Sequence, residues 1–177
     1  MTGVPTVLLV SGSTRAGSTN TALIRTAAAI RPLETRVFDQ LAALPAFNPD
    51  DDVEPLPAAV ATLRAALDQA DALLICTPEY AGALPGAFKN LLDWTVGGAE
   101  MPALPVGWIN AAGVAAPTGG EGAHSELATV LGYVQARVVD EACRRVPLSR
   151  SQVGEDGLID DPEVRAELDR AIDALLG

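Results

Sequence analysis

Residues 6–20 read Thr6-Val7-Leu8-Leu9-Val10-Ser11-Gly12-Ser13-Thr14-Arg15-Ala16-Gly17-Ser18-Thr19-Asn20. The aliphatic run at 7–10 is a strand apolar on both faces, the kind that a parallel sheet buries. A turn of Gly, Ser and Thr follows it. Residues 20–30 then place Ala22, Leu23, Thr26, Ala27 and Ile30 on one helical face, and Pro32 ends the helix. The stretch is one strand entering one helix through a short polar turn.

The same alternation continues along the chain. A strand near 35–38 and a loop over 44–55 lead to a helix after Pro57, with Val60, Leu63 and Leu67 on one face and Arg64 beside them. Residues 72–76 form the next buried strand. A small-residue loop at 78–84 precedes a helix that Pro85 and Gly86 open and that runs to about Trp94. A strand at 105–110, a loop at 111–122, a helix near 125–133 and a strand near 137–140 follow. The last helix starts at Asp161, a capping residue, with Pro162 in its first turn and Glu163 complementing the dipole. Its buried stripe is Val164, Leu168, Ile172 and Leu175.

Five strands alternating with five helices predict a single α/β domain over residues 1–177. Such a domain carries a doubly wound five-stranded parallel sheet, order 2-1-3-4-5, with helices on both faces. That is the flavodoxin-like order. It puts the topological switch between strands 1 and 3 and a ligand crevice at their carboxyl ends.

Composition narrows the function. The 177 residues are 49% hydrophobic and 20% charged, an ordinary globular balance. The net charge of −11 argues against nucleic acid and anionic membrane as partners, since both need a basic footprint. No stretch approaches the ~20 apolar residues of a membrane span, and the run at 7–10 is too short for a signal segment. Cys76 and Cys143 form no disulfide framework and no C-x-x-C pair, so a cytoplasmic location is expected. Asp50, Asp51 and Asp52 are adjacent rather than spaced for convergence, and a solvated turn explains them better than a metal site.

The loops after strands 1 and 3 carry the chemistry. In the first, the strand-to-helix passage favours an anion at the helix N-terminus. Ser11, Ser13, Thr14, Ser18, Thr19 and Asn20 add short polar groups, and Arg15 adds a forked cation suited to phosphate. The loop is neither a Walker loop nor G-x-G-x-x-G. A polar turn that merely caps its helix is the simpler alternative. The second loop, Thr77-Pro78-Glu79-Tyr80-Ala81-Gly82-Ala83-Leu84-Pro85-Gly86, offers small residues at 81–83 against which a flat ring can lie.

Together, S-G-S-T-R-A-G-S-T-N and T-P-E-Y-A-G-A-L-P-G-A-F-K-N-L-L-D-W resemble the NAD(P)H-dependent FMN reductase family, which includes quinone, azo and chromate reductases. Pro78, Glu79, Tyr80, Pro85, Gly86, Lys89, Asn90, Asp93 and Trp94 stand in step with its second motif. The resemblance implies FMN as cofactor and NADPH or NADH as hydride donor. It implies a small-molecule electron acceptor and a homodimer or homotetramer. By it, Ser13, Arg15, Ser18 and Asn20 hold the FMN phosphate, Pro78, Glu79, Tyr80, Ala81 and Gly82 meet the isoalloxazine, and Ala112 and Gly113 approach its pyrimidine edge. The chain departs from the family at Ala81 and Ala83, where Asn and Ser are usual. It departs again at Gly119-Gly120-Glu121-Gly122, where an Arg usually follows the paired glycines.

With chemistry carried by a flavin, no catalytic side chain and no metal are expected. His124, the lone histidine, reads as a surface residue at a helix start. Trp94 and Trp108 read as packing residues. Cys76 reads as a buried strand residue rather than a phosphatase nucleophile, because Gly82 stands where C-x5-R needs its arginine. A phosphate-handling hydrolase and a non-catalytic flavin module are the rival readings.

Overall fold

A computed structural model describes residues 4–113 and 116–177. The central sheet runs β2 (Thr35–Phe38), β1 (Val7–Ser11), β3 (Ala72–Cys76), β4 (Pro105–Asn110), β5 (Arg137–Val138), all parallel. This is the expected 2-1-3-4-5 order, with residues Val7 to Val10 paired to β2 on one side and to β3 on the other.

Alternate residues of each strand feed two cores. Leu8, Val10, Leu73, Ile75 and Val106 face helices α2 (Ala58–Asp68), α3 (Gly86–Asp93) and α4 (Glu121–Tyr133). Val7, Leu9, Leu74, Cys76 and Ile109 face α1 (Thr19–Ile30) and α5 (Pro162–Leu176). Fully burying each such aliphatic side chain is worth about 1.5–3 kcal/mol. The expected stripes of α2 and α5 are buried, and Asp161 caps α5 by accepting from the Glu163 and Val164 N–H groups. Trp94 is fully buried, donates to the Pro45 carbonyl and meets Phe47 edge-on. Asp50 and Asp51 are exposed, whereas Asp52 pairs with Arg64 at 2.6 Å.

Two boundaries differ from expectation. The strand expected over 137–140 stops at Val138, and a further two-residue strand, β6 (Arg144–Arg145), pairs with the upper half of β4. Gly107 explains the break. A Cβ there would lie 2.5 Å from the Cβ of Ala142, so the turn Asp140–Ala142 packs onto bare backbone of β4 and divides the edge. Helix α4 begins at Glu121, four residues before the expected start. Gly119 and Gly120 (φ 61 and 80) take the left-handed conformation that closes the loop, and the helix starts at once behind them.

Candidate active site

The loops after β1, β3 and β4 meet at the carboxyl end of the sheet around a crevice of about 350 Å³. That size is within the range of small-molecule sites. Of the residues expected to bind cofactor, Ser13, Arg15, Ser18, Thr19, Asn20, Pro78, Glu79, Tyr80, Ala112 and Gly113 line it. Ser11, Thr14, Ala81 and Gly82 do not.

The first loop is held from below. Ser11 Oγ bonds Thr21 Oγ1 at 2.8 Å and accepts from the Ser13 N–H, so Ser11 braces the turn. Thr14 lines a neighbouring hollow on the outer side of the loop. Ser18 stands at the N-cap of α1 and is only 3% exposed, yet its side chain makes no capping hydrogen bond among the described residues. Orphan N–H groups and an uncommitted hydroxyl thus converge where the dipole is positive. Arg15 is exposed and pairs with no carboxylate among the described residues. Asn20, buried behind them, accepts from the Cys76 thiol at 3.2 Å. Burial pushes the Cys76 thiol far up, so it stays protonated and is no nucleophile.

The second loop closes as a tight hairpin. Tyr80 and Ala83 exchange both backbone hydrogen bonds, and Ala81 and Gly82 between them take φ 53 and 77. This two-residue turn needs positive φ at both central positions. Its tip rests on α4 rather than in the crevice. A Cβ on Gly122 would lie 2.2 Å from the Gly82 carbonyl oxygen, so glycine at 122 is what lets the hairpin seat there.

Glu79 couples the second loop to the third. One carboxylate oxygen accepts from the Thr118 hydroxyl, and the other accepts from the Ala123 N–H at 3.1 Å. Bonds from Thr118 and from the backbone of Ala123 and Gly122, offset in part by desolvation, hold its pKa below the usual carboxylate value. Leu84 N–H donates to Glu126 at 2.6 Å, a second tie from this loop to α4.

Sequence reading missed Asn110, Thr118, Leu148 and Thr77, all of which line the crevice. Asn110 accepts from the Ala112 N–H and donates to the Gly119 carbonyl, clamping both ends of the third loop. A polar residue closing an otherwise apolar strand was the available signal. Leu148 arrives through β6, which had no signal of its own.

His124 is not a surface residue. It is 9% exposed, its Nδ1 is 2.6 Å from the Gly120 carbonyl, and its Nε2 meets no partner. The early start of α4 turns position 124 inward beside Trp108, ring centroids 6.0 Å apart. Burial lowers its pKa, so the neutral ring donates from Nδ1. Among the described residues no group of His, Cys, Asp and Glu is arranged to hold a metal ion, and no helix is long and apolar enough to cross a membrane.

Comparison with known proteins agrees with this geometry. The profile of the NADPH-dependent FMN reductase family matches residues 5–147. A probable NADPH:quinone oxidoreductase 2 of Oryza sativa is 31% identical over 176 residues, covering 92% of this chain and 82% of that one. A quinone reductase of Escherichia coli is 37% identical over 91 residues, 50% of this chain and 48% of that protein. In fold, the chain superposes on FerB, a flavoenzyme NAD(P)H:(acceptor) oxidoreductase from Paracoccus denitrificans, with TM-score 0.81 and 24% identity over 98% of both chains. The chain belongs to the NADPH-dependent FMN reductase family and is an FMN-dependent oxidoreductase that draws on NAD(P)H.

Proposed function

We propose that the crevice holds FMN with its phosphate in the first loop and its ring between the second and third loops, and that the electrons go to a small quinone-type acceptor. The observation that carries this reading is the uncapped N-terminus of α1, with the buried Ser18 hydroxyl and the unpaired Arg15 beside it, at the topological switch of the sheet. The residues fit the group. Ser13, Ser18, Thr19, Asn20 and Arg15 suit a phosphate dianion, and Ala112 and Gly113 line the crevice together with Pro78 and Tyr80, where a ring can lie. Gly12 contributes by absence, since a Cβ there would lie 2.2 Å from Thr77 Oγ1 and force the first two loops apart.

When bound, FMN supplies the two-electron chemistry. Arg15 and the hydroxyls would hold its phosphate and so fix where the ring lies for reaction. Asn110 ties Ala112 to Gly119, and the Glu79–Thr118 bond links the second loop to the third. Pro117 and Leu148 add apolar surface to the same crevice. Tyr80 is 52% exposed, which supports a homodimer or homotetramer whose neighbouring subunit covers the mouth. Two free cysteines, Cys76 and Cys143, support a reducing, cytoplasmic setting.

The quinone reading rests on the relatives, among them a quinone oxidoreductase and a quinone reductase by name. Anaerobic assay of the FMN-loaded protein with NADPH and a simple benzoquinone tests it. Turnover that rises with quinone concentration to saturation is expected. FMN reduction by NADPH without transfer to quinone would rule this acceptor class out and favour an electron carrier.

A further inference from the structure

We infer that a second anion site, on the far side of one wall of the flavin crevice, takes the phosphorylated tail of the nicotinamide coenzyme, with Arg145 as its cation. The inference rests on the placement of FMN proposed above. A cavity of about 470 Å³ lies between β4, β6 and α4, lined among others by Trp108, His124, Cys143, Arg144 and Arg145. Asn110 and Thr118 line both this cavity and the flavin crevice, so the two share a wall.

The charge around this wall is mixed, with Glu121 in the cavity and Glu79 bonded to Thr118, and among the described residues Arg145 is the cation left to meet an anion. Arg144 is bound to Glu167 at 2.7 Å. Arg145 is exposed and, among the described residues, pairs with no carboxylate. Its guanidinium lies over Gly119, where a Cβ would come within 3.2 Å of Nη2. Gly119 therefore both turns the loop and leaves room for the cation to reach the shared wall. Burial pushes the Cys143 thiol up to about 11, so no thiolate opposes an anion there. Glu121 is the one acid lining the cavity, and it gives a ribose hydroxyl or an adenine amine an acceptor. Half-buried Trp108 supplies a flat apolar wall beside His124, whose Nε2 is buried and has no partner among the described residues.

A coenzyme whose nicotinamide reaches the flavin ring must carry its phosphates out of the crevice. The net charge of −11 repels that tail everywhere except at local cations. The unpaired Arg15, in the crevice, is assigned to FMN. Arg150 flanks Gly17 of the first loop, and Arg25 lies in the hollow on its outer side. Among the described residues, Arg145 is the unpaired cation at the third loop.

The test uses FMN-loaded protein and three variants, Arg145→Ala, Arg145→Lys and Arg36→Ala. The last removes an exposed arginine of β2 as a charge control. Calorimetric titration with adenosine 2′,5′-bisphosphate should show binding weakened about tenfold or more in Arg145→Ala, partly restored in Arg145→Lys and unchanged in Arg36→Ala. FMN affinity should be the same in all four proteins. A KM raised for NADPH alone assigns the 2′-phosphate to Arg145, and a KM raised equally for NADH assigns the pyrophosphate. Unchanged bisphosphate binding in Arg145→Ala overturns the site, as does an equal loss in Arg36→Ala. Failure of the wild type to hold FMN would instead overturn the flavin placement on which the site rests.

Discussion

Ala81 holds φ 53, a conformation in which an alanine Cβ crowds its own backbone at a cost of about 1–2 kcal/mol. The family's usual Asn tolerates this region because its side chain bonds locally. Ala81→Asn should therefore stabilise the protein by about 0.5–1 kcal/mol in urea denaturation; a loss of stability would show that the turn is not strained. Arg15→Ala should weaken FMN binding by about one to two decades, the worth of a charge-assisted contact, with the melting temperature of the apoprotein nearly unchanged. Equal FMN affinity in wild type and variant would remove Arg15 from the site. His124 gives a pH signature. Its pKa is lowered by burial, so between its ordinary value near 6.5 and its folded value the unfolded chain binds the extra proton. Stability should be flat above pH 7 and fall as the pH drops below 6.5, and His124→Gln should flatten that slope. Glu79 acts in a lower window: its bonds to Thr118 and Ala123 are kept above the ordinary carboxylate value and lost as the pH falls through its depressed one.

At the scale of elements, the segments whose pattern is strong were legible. The run at 7–10, the Pro85-Gly86 opening and the Asp161 cap each name their element through a local physical cause, and all three stand where expected. The first loop was legible as a polar strand-to-helix turn for the same reason. The divided edge strand was not, because its cause is a contact between Gly107 and Ala142, thirty-five positions apart in sequence. Nor was the burial of His124, which follows from the Gly119–Gly120 turn and from Glu79 reaching across to the first turn of α4. Long-range pairs of this kind leave no periodicity. Two substitutions test them. Gly107→Val should cost about 1–3 kcal/mol by overpacking the turn at Asp140–Ala142. Thr26→Val keeps the shape of a fully buried side chain but strips the Ile159 N–H of its acceptor. It should cost about 1–3 kcal/mol in chemical denaturation, and a neutral result would place water at that amide.

For the whole molecule, the doubly wound sheet buries its own two faces, so the fold needs no partner, whereas the crevice opens at the strand ends and Tyr80 stands exposed at its rim. Sedimentation of the FMN-loaded protein should show a dimer or tetramer that carries the activity; a fully active monomer would contradict the covered mouth. On the proposed reading, the crevice at the switch between β1 and β3 binds FMN for reduction by a nicotinamide coenzyme. The most direct measurement is titration of the apoprotein with FMN and with FAD, followed by anaerobic addition of NADPH while the visible flavin band is watched. Tighter binding of FMN than of FAD, with bleaching of the bound flavin, is the predicted result. Tighter binding of FAD, or bound FMN that NADPH does not bleach, would contradict it.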